Sequence, residues 1–177
     1  MFRPVPTIAM WLAALPLLAA TLPNRPVATL DLARYSGRWH EIAHLPMYFE
    51  RRCLDAVTAT YTPNPDGTVG IHNTCRTDKG VMAVDGVARI KGRQPAALEV
   101  RFVPAWLTWL PAAWADYWVI EVDANYQWAV VGSPGRRHLW ILSRRPALDH
   151  GLFAALKERA RQRGYPVDRL IVTAPLD

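Results

Sequence analysis

From residue 36 onward the hydrophobic positions of this chain recur with a period of two. Val57, Ala59 and Tyr61 alternate with Thr58, Thr60 and Thr62. Leu98, Val100 and Phe102 alternate with Glu99 and Arg101. A period of two puts alternate side chains on opposite faces of an extended strand. Gly37 opens a strand that runs to about His44. Turn residues then divide the chain at short intervals. Pro63-Asn64-Pro65-Asp66-Gly67, Asp78-Lys79-Gly80 and Gly92 to Pro95 each carry the glycine, proline or carboxamide chemistry of a hairpin. The strands between them are Thr68 to Arg76, Val81 to Lys91 and Leu98 to Phe102.

An apolar loop follows, Pro104-Ala105-Trp106-Leu107-Thr108-Trp109-Leu110-Pro111, whose prolines argue against an ordinary strand. Tyr117 to Val122, Tyr126 to Val131 and His138 to Ser143 bring the count to eight strands. These last three are apolar on both faces, so a further element must cover their outer side. The cover is a helix from an Asp149 N-cap to Gly164, before Pro166, with Leu152, Phe153, Leu156 and Ala160 as its apolar stripe. Val167 to Thr173 reads as a last short strand, and Asp31 to Ser36 as a single helical turn. Short strands in hairpin order followed by one helix predict an all-β fold. The architecture is an eight-stranded up-and-down antiparallel barrel with one C-terminal α-helix on its wall.

The first residues change the picture. Arg3, an apolar run from Ile8 to Leu18, and Ala19-Ala20 follow the grammar of a signal peptide. Cleavage after Ala20 is the expectation. Leu18 is large for the −3 position, so an uncleaved anchor stays open. The domains are therefore a segment over 1–20, a Pro-containing linker over 21–29, and a barrel over 30–177. The chain is expected to be exported, to the periplasm or in association with an outer membrane. No cysteine lies near the boundary, so no lipidated cysteine is expected. Export permits a disulfide between the chain's two cysteines, Cys53 and Cys75, with two buried thiols as the alternative. The net charge of +6 comes from scattered residues. Its densest group, Lys157, Arg159, Arg161 and Arg163, shares one helix with Glu158. That is a solvated face or a surface attracted to anionic lipid, not a nucleic-acid footprint.

Three motifs then point to a family. Gly37-Arg38-Trp39 opens the first strand, Asp123 and Tyr126 lie between the sixth and seventh, and Arg144 ends the eighth. Together they resemble, in order and at matching strands, the three signatures of the lipocalins. The run Gly37 to Ala43 looks especially like bacterial outer-membrane lipocalins and the apolipoprotein D group. The resemblance covers about Leu30 to Val172. It implies a binding protein for a small apolar ligand, with Gly37, Trp39, Asp123, Tyr126 and Arg144 as structural residues and no cofactor.

Strand parity gives the motifs a physical meaning. In a meander each hairpin reverses direction, so Trp39, the Asp123–Tyr126 turn and Arg144 all fall at one end. There Trp39 closes the floor, with the Arg144 guanidinium across its indole. The opposite end is an open mouth formed by Leu45 to Phe49, the Arg76 to Gly80 turn and the Trp106 to Leu110 loop. Exposed apolar loops at a mouth mark contact with a ligand, a membrane surface or a partner, and the alternative is that they fold inward as a lid. Cys53 and Cys75 come to the same end, within a couple of positions of facing each other. Parity and resemblance together place Ala43, Val100, Phe102, Tyr117, Val119, Trp140 and Leu142 on the cavity wall. A one-residue slip would invert any strand's contribution.

Catalytic chemistry finds little support. His40 and His44 have a spacing that a metal could use, but parity turns Glu41 to the other face, so no metal site is expected. Ser143 has no His and Asp partners in an elbow motif. Asp123 is better explained as a turn residue. Glu41 and Glu121 share parity with cavity positions, where a carboxylate has to be paired or protonated. The expected function is reversible binding, storage or transport of a fatty acid, lysophospholipid or similar apolar ligand in the cell envelope, by a monomer or dimer. The alternatives are a lipocalin-fold enzyme with Cys53 as nucleophile, and an interaction module with a collapsed barrel.

Overall fold

The computed structural model describes residues 21–103 and 113–177. The proposed signal segment and the Trp106–Leu110 loop lie outside the described residues. Strand β1 (Gly37–His44) follows a single helical turn, α1 (Leu32–Tyr35). Asp31 caps that turn by accepting from the N–H groups of Ala33 and Arg34. Then come β2 (Asp55–Pro63), β3 (Val69–Thr77), β4 (Gly80–Ile90), β5 (Ala97–Arg101), β6 (Ala115–Val122), β7 (Trp128–Gly132) and β8 (Leu139–Ser143). Each is antiparallel to the one before it, and β1 pairs with both β2 and β8, so the sheet closes into a barrel.

The tail after β8 differs in detail from its sequence pattern. Helix α2 (His150–Gln162) starts at Asp149, whose side chain accepts from the Leu152 N–H. Gly164 ends it with φ +85°, a left-handed conformation that favours glycine. Val167–Arg169 is one turn of 3-10 helix rather than strand. The strand that follows, β9, is only Ile171–Val172, paired with Ala43 and His44 at the upper end of β1.

Two apolar layers result. The inner one fills the lower barrel with Trp39, Tyr61, Ile71, Val119, Val131 and Leu142. The outer one lies between α2 and the strands β6, β7, β8 and β1. There Phe153, Leu156 and Ala160 meet Ile120, Val130 and Ile141. This second layer is why the last strands are apolar on both faces. The segment before α1 is tied to the same side. Leu22 N–H donates to the Gln162 carbonyl, Val27 N–H to the Val119 carbonyl, and the Asn24 amide to the Ser133 carbonyl.

Besides an irregularity in β2 between Asp55 and Thr58, two strands on the helix side carry a bulge. The register of β1 on β8 shifts between Glu41 and Ala43, and that of β6 on β7 between Val119 and Glu121. A bulge inserts one residue, so two successive side chains point to the same face and the alternation restarts inverted. Both bulges lie on strands that α2 covers.

Candidate ligand-binding site

The floor is built from the three motifs. Gly37 has φ +90°, a conformation open to glycine. Trp39 is fully buried and donates its indole N–H to the Tyr35 carbonyl at 2.7 Å. The Arg144 guanidinium lies 3.8 Å above its ring. Arg144 also donates to the carbonyls of Arg34, Ser36 and Arg38 at 2.7–2.8 Å, which fastens α1 and the start of β1 to the end of β8. Asp123 accepts from the N–H groups of Asn125 and Gln127 and shapes the β6–β7 turn. The Tyr126 hydroxyl accepts from the Asp31 N–H at 2.9 Å, and the Arg34 guanidinium stacks on its ring. These polar groups are engaged with one another and with backbone, which leaves them no reacting partner.

Above Trp39, three phenols meet. Tyr117 shares hydrogen bonds with Tyr35 at 2.9 Å and Tyr61 at 2.8 Å. Burial pushes all three hydroxyls up in pKa, Tyr61 to about 12 and Tyr35 and Tyr117 well above the ordinary phenol value. Tyr61 and Tyr117 line the bottom of a cavity of about 440 Å³. Its wall is apolar over most of its area, with Ile71, Val100, Phe102, Trp140 and Leu142 among its members. The barrel is therefore not collapsed, and the volume falls within the roughly 300–1,000 Å³ of small-molecule sites. The buried Asn73 Oδ1 has no hydrogen-bond partner among the described residues. Asn73 lines the same cavity.

Five of the seven wall positions expected from sequence, Val100, Phe102, Tyr117, Trp140 and Leu142, line this cavity. Two do not. Val119 faces inward but lies in the packed lower core. Ala43 belongs to the layer under α2, because the bulge at Ile42 sends Ile42 and Ala43 to the same outer face. Glu121 is turned outward by the bulge at Ile120, and its carboxylate pairs with Arg159 and Arg163 of α2.

The β1 bulge also assembles a cluster that strand parity excludes. Restarted after Ala43, the alternation returns His44 to the face of Glu41. His44 Nδ1 lies 3.4 Å from Glu41 Oε1 and in direct contact with the Glu50 carboxylate. Glu50 comes from a 3-10 turn, Tyr48–Glu50, in the β1–β2 connection. Trp140 donates its indole N–H to Glu50 Oε1 at 3.0 Å, and the Thr173 hydroxyl donates to Glu41 Oε1 at 3.2 Å. Glu41 and Glu50 both line the cavity. Burial raises the Glu41 carboxyl to about 7 against the pull of the Thr173 hydroxyl, and burial lowers the His44 imidazole to about 4. Glu50 was missed in the sequence because it sits in an irregular loop with no periodicity to place it.

At the mouth, Cys53 and Cys75 are disulfide-bonded with Cα atoms 5.5 Å apart. The fit depends on the irregularity between Asp55 and Thr58, where Ala56 takes φ +52°. The bond removes the thiol that the enzyme alternative required. Tyr48, Phe49, Leu54, Val81 and Phe102, all at this end, are exposed. Met47, expected among them, is instead buried.

Known proteins resemble this chain in sequence and in fold. A family model described as a lipocalin-like domain matches residues 30–175. The temperature-induced lipocalin-1 of Arabidopsis thaliana is 36% identical over 85% of this chain and 82% of its own length. The outer membrane lipoprotein Blc of Escherichia coli (strain K12) is 33% identical over 96% of each chain. Apolipoprotein D of Bos taurus is 29% identical over 85% of this chain and 80% of its own. Among solved structures, insecticyanin from the tobacco hornworm Manduca sexta superposes with a TM-score of 0.63 at 18% identity, over 88% of this chain and 87% of its own, a likeness of fold alone. The chain belongs to the lipocalin family, whose members are in general binding and transport proteins for small hydrophobic molecules.

Proposed function

We propose that this protein reversibly binds and carries a lipid, a fatty acid or lysophospholipid, in the bacterial cell envelope, and that it catalyses no reaction. The observation that carries this reading is the apolar cavity of about 440 Å³, floored by Tyr61 and Tyr117 above the packed core that holds Trp39. An acyl tail entering it leaves water at a gain of about 0.8 kcal/mol per methylene. Part of that gain is offset by the lost freedom of the ligand. The polar head stays near the mouth. The exposed Tyr48, Phe49, Leu54 and Val81 form a rim suited to a membrane surface, and the net charge of +6 adds attraction to anionic lipid. Kinship with proteins named as outer membrane lipoproteins supports an envelope location. Both cysteines are held in the disulfide, so neither is left for lipid attachment.

Titration with a fluorescent fatty acid tests the reading. Saturable binding, displaced by unlabelled fatty acid or lysophospholipid, is expected. Val100→Trp puts an indole into the cavity and should weaken binding at least about tenfold while the barrel stays folded. Absence of saturable binding by any acyl lipid would overturn the proposal.

A further inference from the structure

We propose that Glu41, His44 and Glu50 form a binding site for a divalent transition ion of the zinc type, set in the wall of the cavity near its mouth.

The first ground is donor geometry. One imidazole nitrogen and two carboxylates present ligand atoms that all lie within 4.8 Å of one another. One nitrogen and two oxygens from three protein side chains, with a further position open, is a donor set that zinc accepts. A tetrahedral ion with bonds of about 2.1 Å separates its ligands by about 3.4 Å. The distance between His44 Nδ1 and Glu41 Oε1 is 3.4 Å. Glu50 is on a single 3-10 turn, outside the sheet, and its carboxylate already contacts the same nitrogen. Inserting the ion replaces that hydrogen bond with two bonds to the metal. The imidazole then binds through Nδ1 and keeps its proton on Nε2.

The second ground is charge. Among the described residues, neither Glu41 nor Glu50 has a lysine or arginine within ion-pair distance, and His44 is their shared contact. Glu41 is only 5% exposed. The described donors to the two carboxylates are Thr173, Trp140 and His44, and Thr173 and Trp140 each address a single oxygen. Buried carboxylates require pairing. A doubly charged cation supplies the missing charge at the point where the three side chains converge. Thr173 and Trp140 then act as the outer hydrogen bonds that orient the ligating carboxylates.

The contrast with Glu121 strengthens the case. That carboxylate, displaced by the other bulge, is met by two arginines. The β1 bulge brings two carboxylates together with no such partner. Because Glu41 and Glu50 line the cavity, the open position of the ion faces the ligand space. The ion makes the wall there neutral in place of anionic.

Calorimetric titration of the full chain with zinc chloride, after treatment with a chelator, tests the site, together with the visible spectrum after addition of cobalt chloride. One ion per chain is expected, with cobalt bands of low-coordinate intensity. Glu41→Gln and His44→Gln should each weaken zinc binding at least about tenfold. His72→Gln, which removes an exposed imidazole beside Asp85 on the outer wall, should leave it unchanged. Glu41→Gln keeps the shape of the side chain, and its melting temperature without metal reports whether it folds. Should it unfold, Glu50→Gln, in the loop, carries the same expectation. No zinc binding by the wild-type chain, or binding that survives the Glu41, Glu50 and His44 changes, would overturn the proposal. Neither outcome bears on the lipid titration, which needs no metal.

Discussion

The two ends of the barrel are built on opposite principles. At the floor, polar groups are consumed. Arg144 donates to the carbonyls of Arg34, Tyr35, Ser36, Arg38 and Tyr126 and covers Trp39, Asp123 holds its own turn, and Tyr126 holds α1. At the mouth, apolar side chains stand in water, and two carboxylates face the cavity with His44 between them and no lysine or arginine partner among the described residues. The difference teaches where each end can tolerate change. Interactions that are fully satisfied hold the fold and leave nothing for a ligand. Groups left unsatisfied cost stability and are available for binding.

The largest effect should come from breaking the floor. Trp39→Ala removes a fully buried indole and the platform for Arg144, and should cost about 3–5 kcal/mol in urea unfolding. Fatty-acid affinity of the fraction that remains folded should stay within about twofold. Lost binding with unchanged stability would erase the distinction between the ends.

Next is the one covalent tie at the mouth. Cys53 and Cys75 are 22 residues apart, so replacing both with serine should lower stability by about 3 kcal/mol. Alkylation of non-reduced, denatured wild-type protein should label no cysteine. Two labels per chain would contradict the bond.

A pH titration sharpens the boundary between floor and cavity. Tyr35, Tyr61 and Tyr117 have folded-state pKa values above the unfolded value near 10. The stability that comes from their neutral form is therefore intact below about pH 10 and is lost as pH rises through the folded values. For Tyr61, raised to about 12, this is roughly 2–3 kcal/mol. Absorbance of phenolate should show the Tyr35, Tyr61 and Tyr117 phenols largely silent at pH 11, appearing only when the barrel unfolds. Their early titration would mean that the phenol cluster is open to water.

The smallest stability effect belongs to the rim. Tyr48→Ser with Phe49→Ser changes side chains that are 80% and 59% exposed, and should alter stability by no more than about 0.5 kcal/mol. Co-sedimentation with anionic vesicles should nevertheless fall several-fold. Undiminished vesicle binding would remove the rim from the delivery route while leaving the cavity intact.

The floor was legible in the sequence because its residues are fixed by strand ends and turns, which parity locates without knowledge of the walls. The helix was legible too, from the Asp149 cap and the stripe of Phe153, Leu156 and Ala160. The bulges at Ile42 and Ile120 were not. Each inserted residue is an isoleucine inside a strand, with no glycine, proline or turn residue beside it, so nothing in the local sequence marks the insertion. Ala43 and Glu121 were accordingly assigned to the wrong side, and Glu41 was separated from His44. One signal was available. A lone carboxylate at position 121 and arginines at 159 and 163, one helical turn apart, are complementary once the helix is placed on that wall.

Strand β1 has a consequence for the order in which the chain can assemble. Arg144 grips a carbonyl 106 residues away, and Thr173 reaches back to Glu41 across 132 residues. Neighbouring hairpins from β2 to β8 can zip locally, but β1 can complete its edge only after the end of the chain has emerged. Closure is therefore the late and slow event, since distant contacts bear the full entropy of loop formation before they contribute anything. A nascent chain ending before β8 holds Ile42 and Ala43 on an open, sticky edge. Until the end of the chain is available, such a chain has strands but no enclosed cavity, so the binding site is the last part of the molecule to come into being.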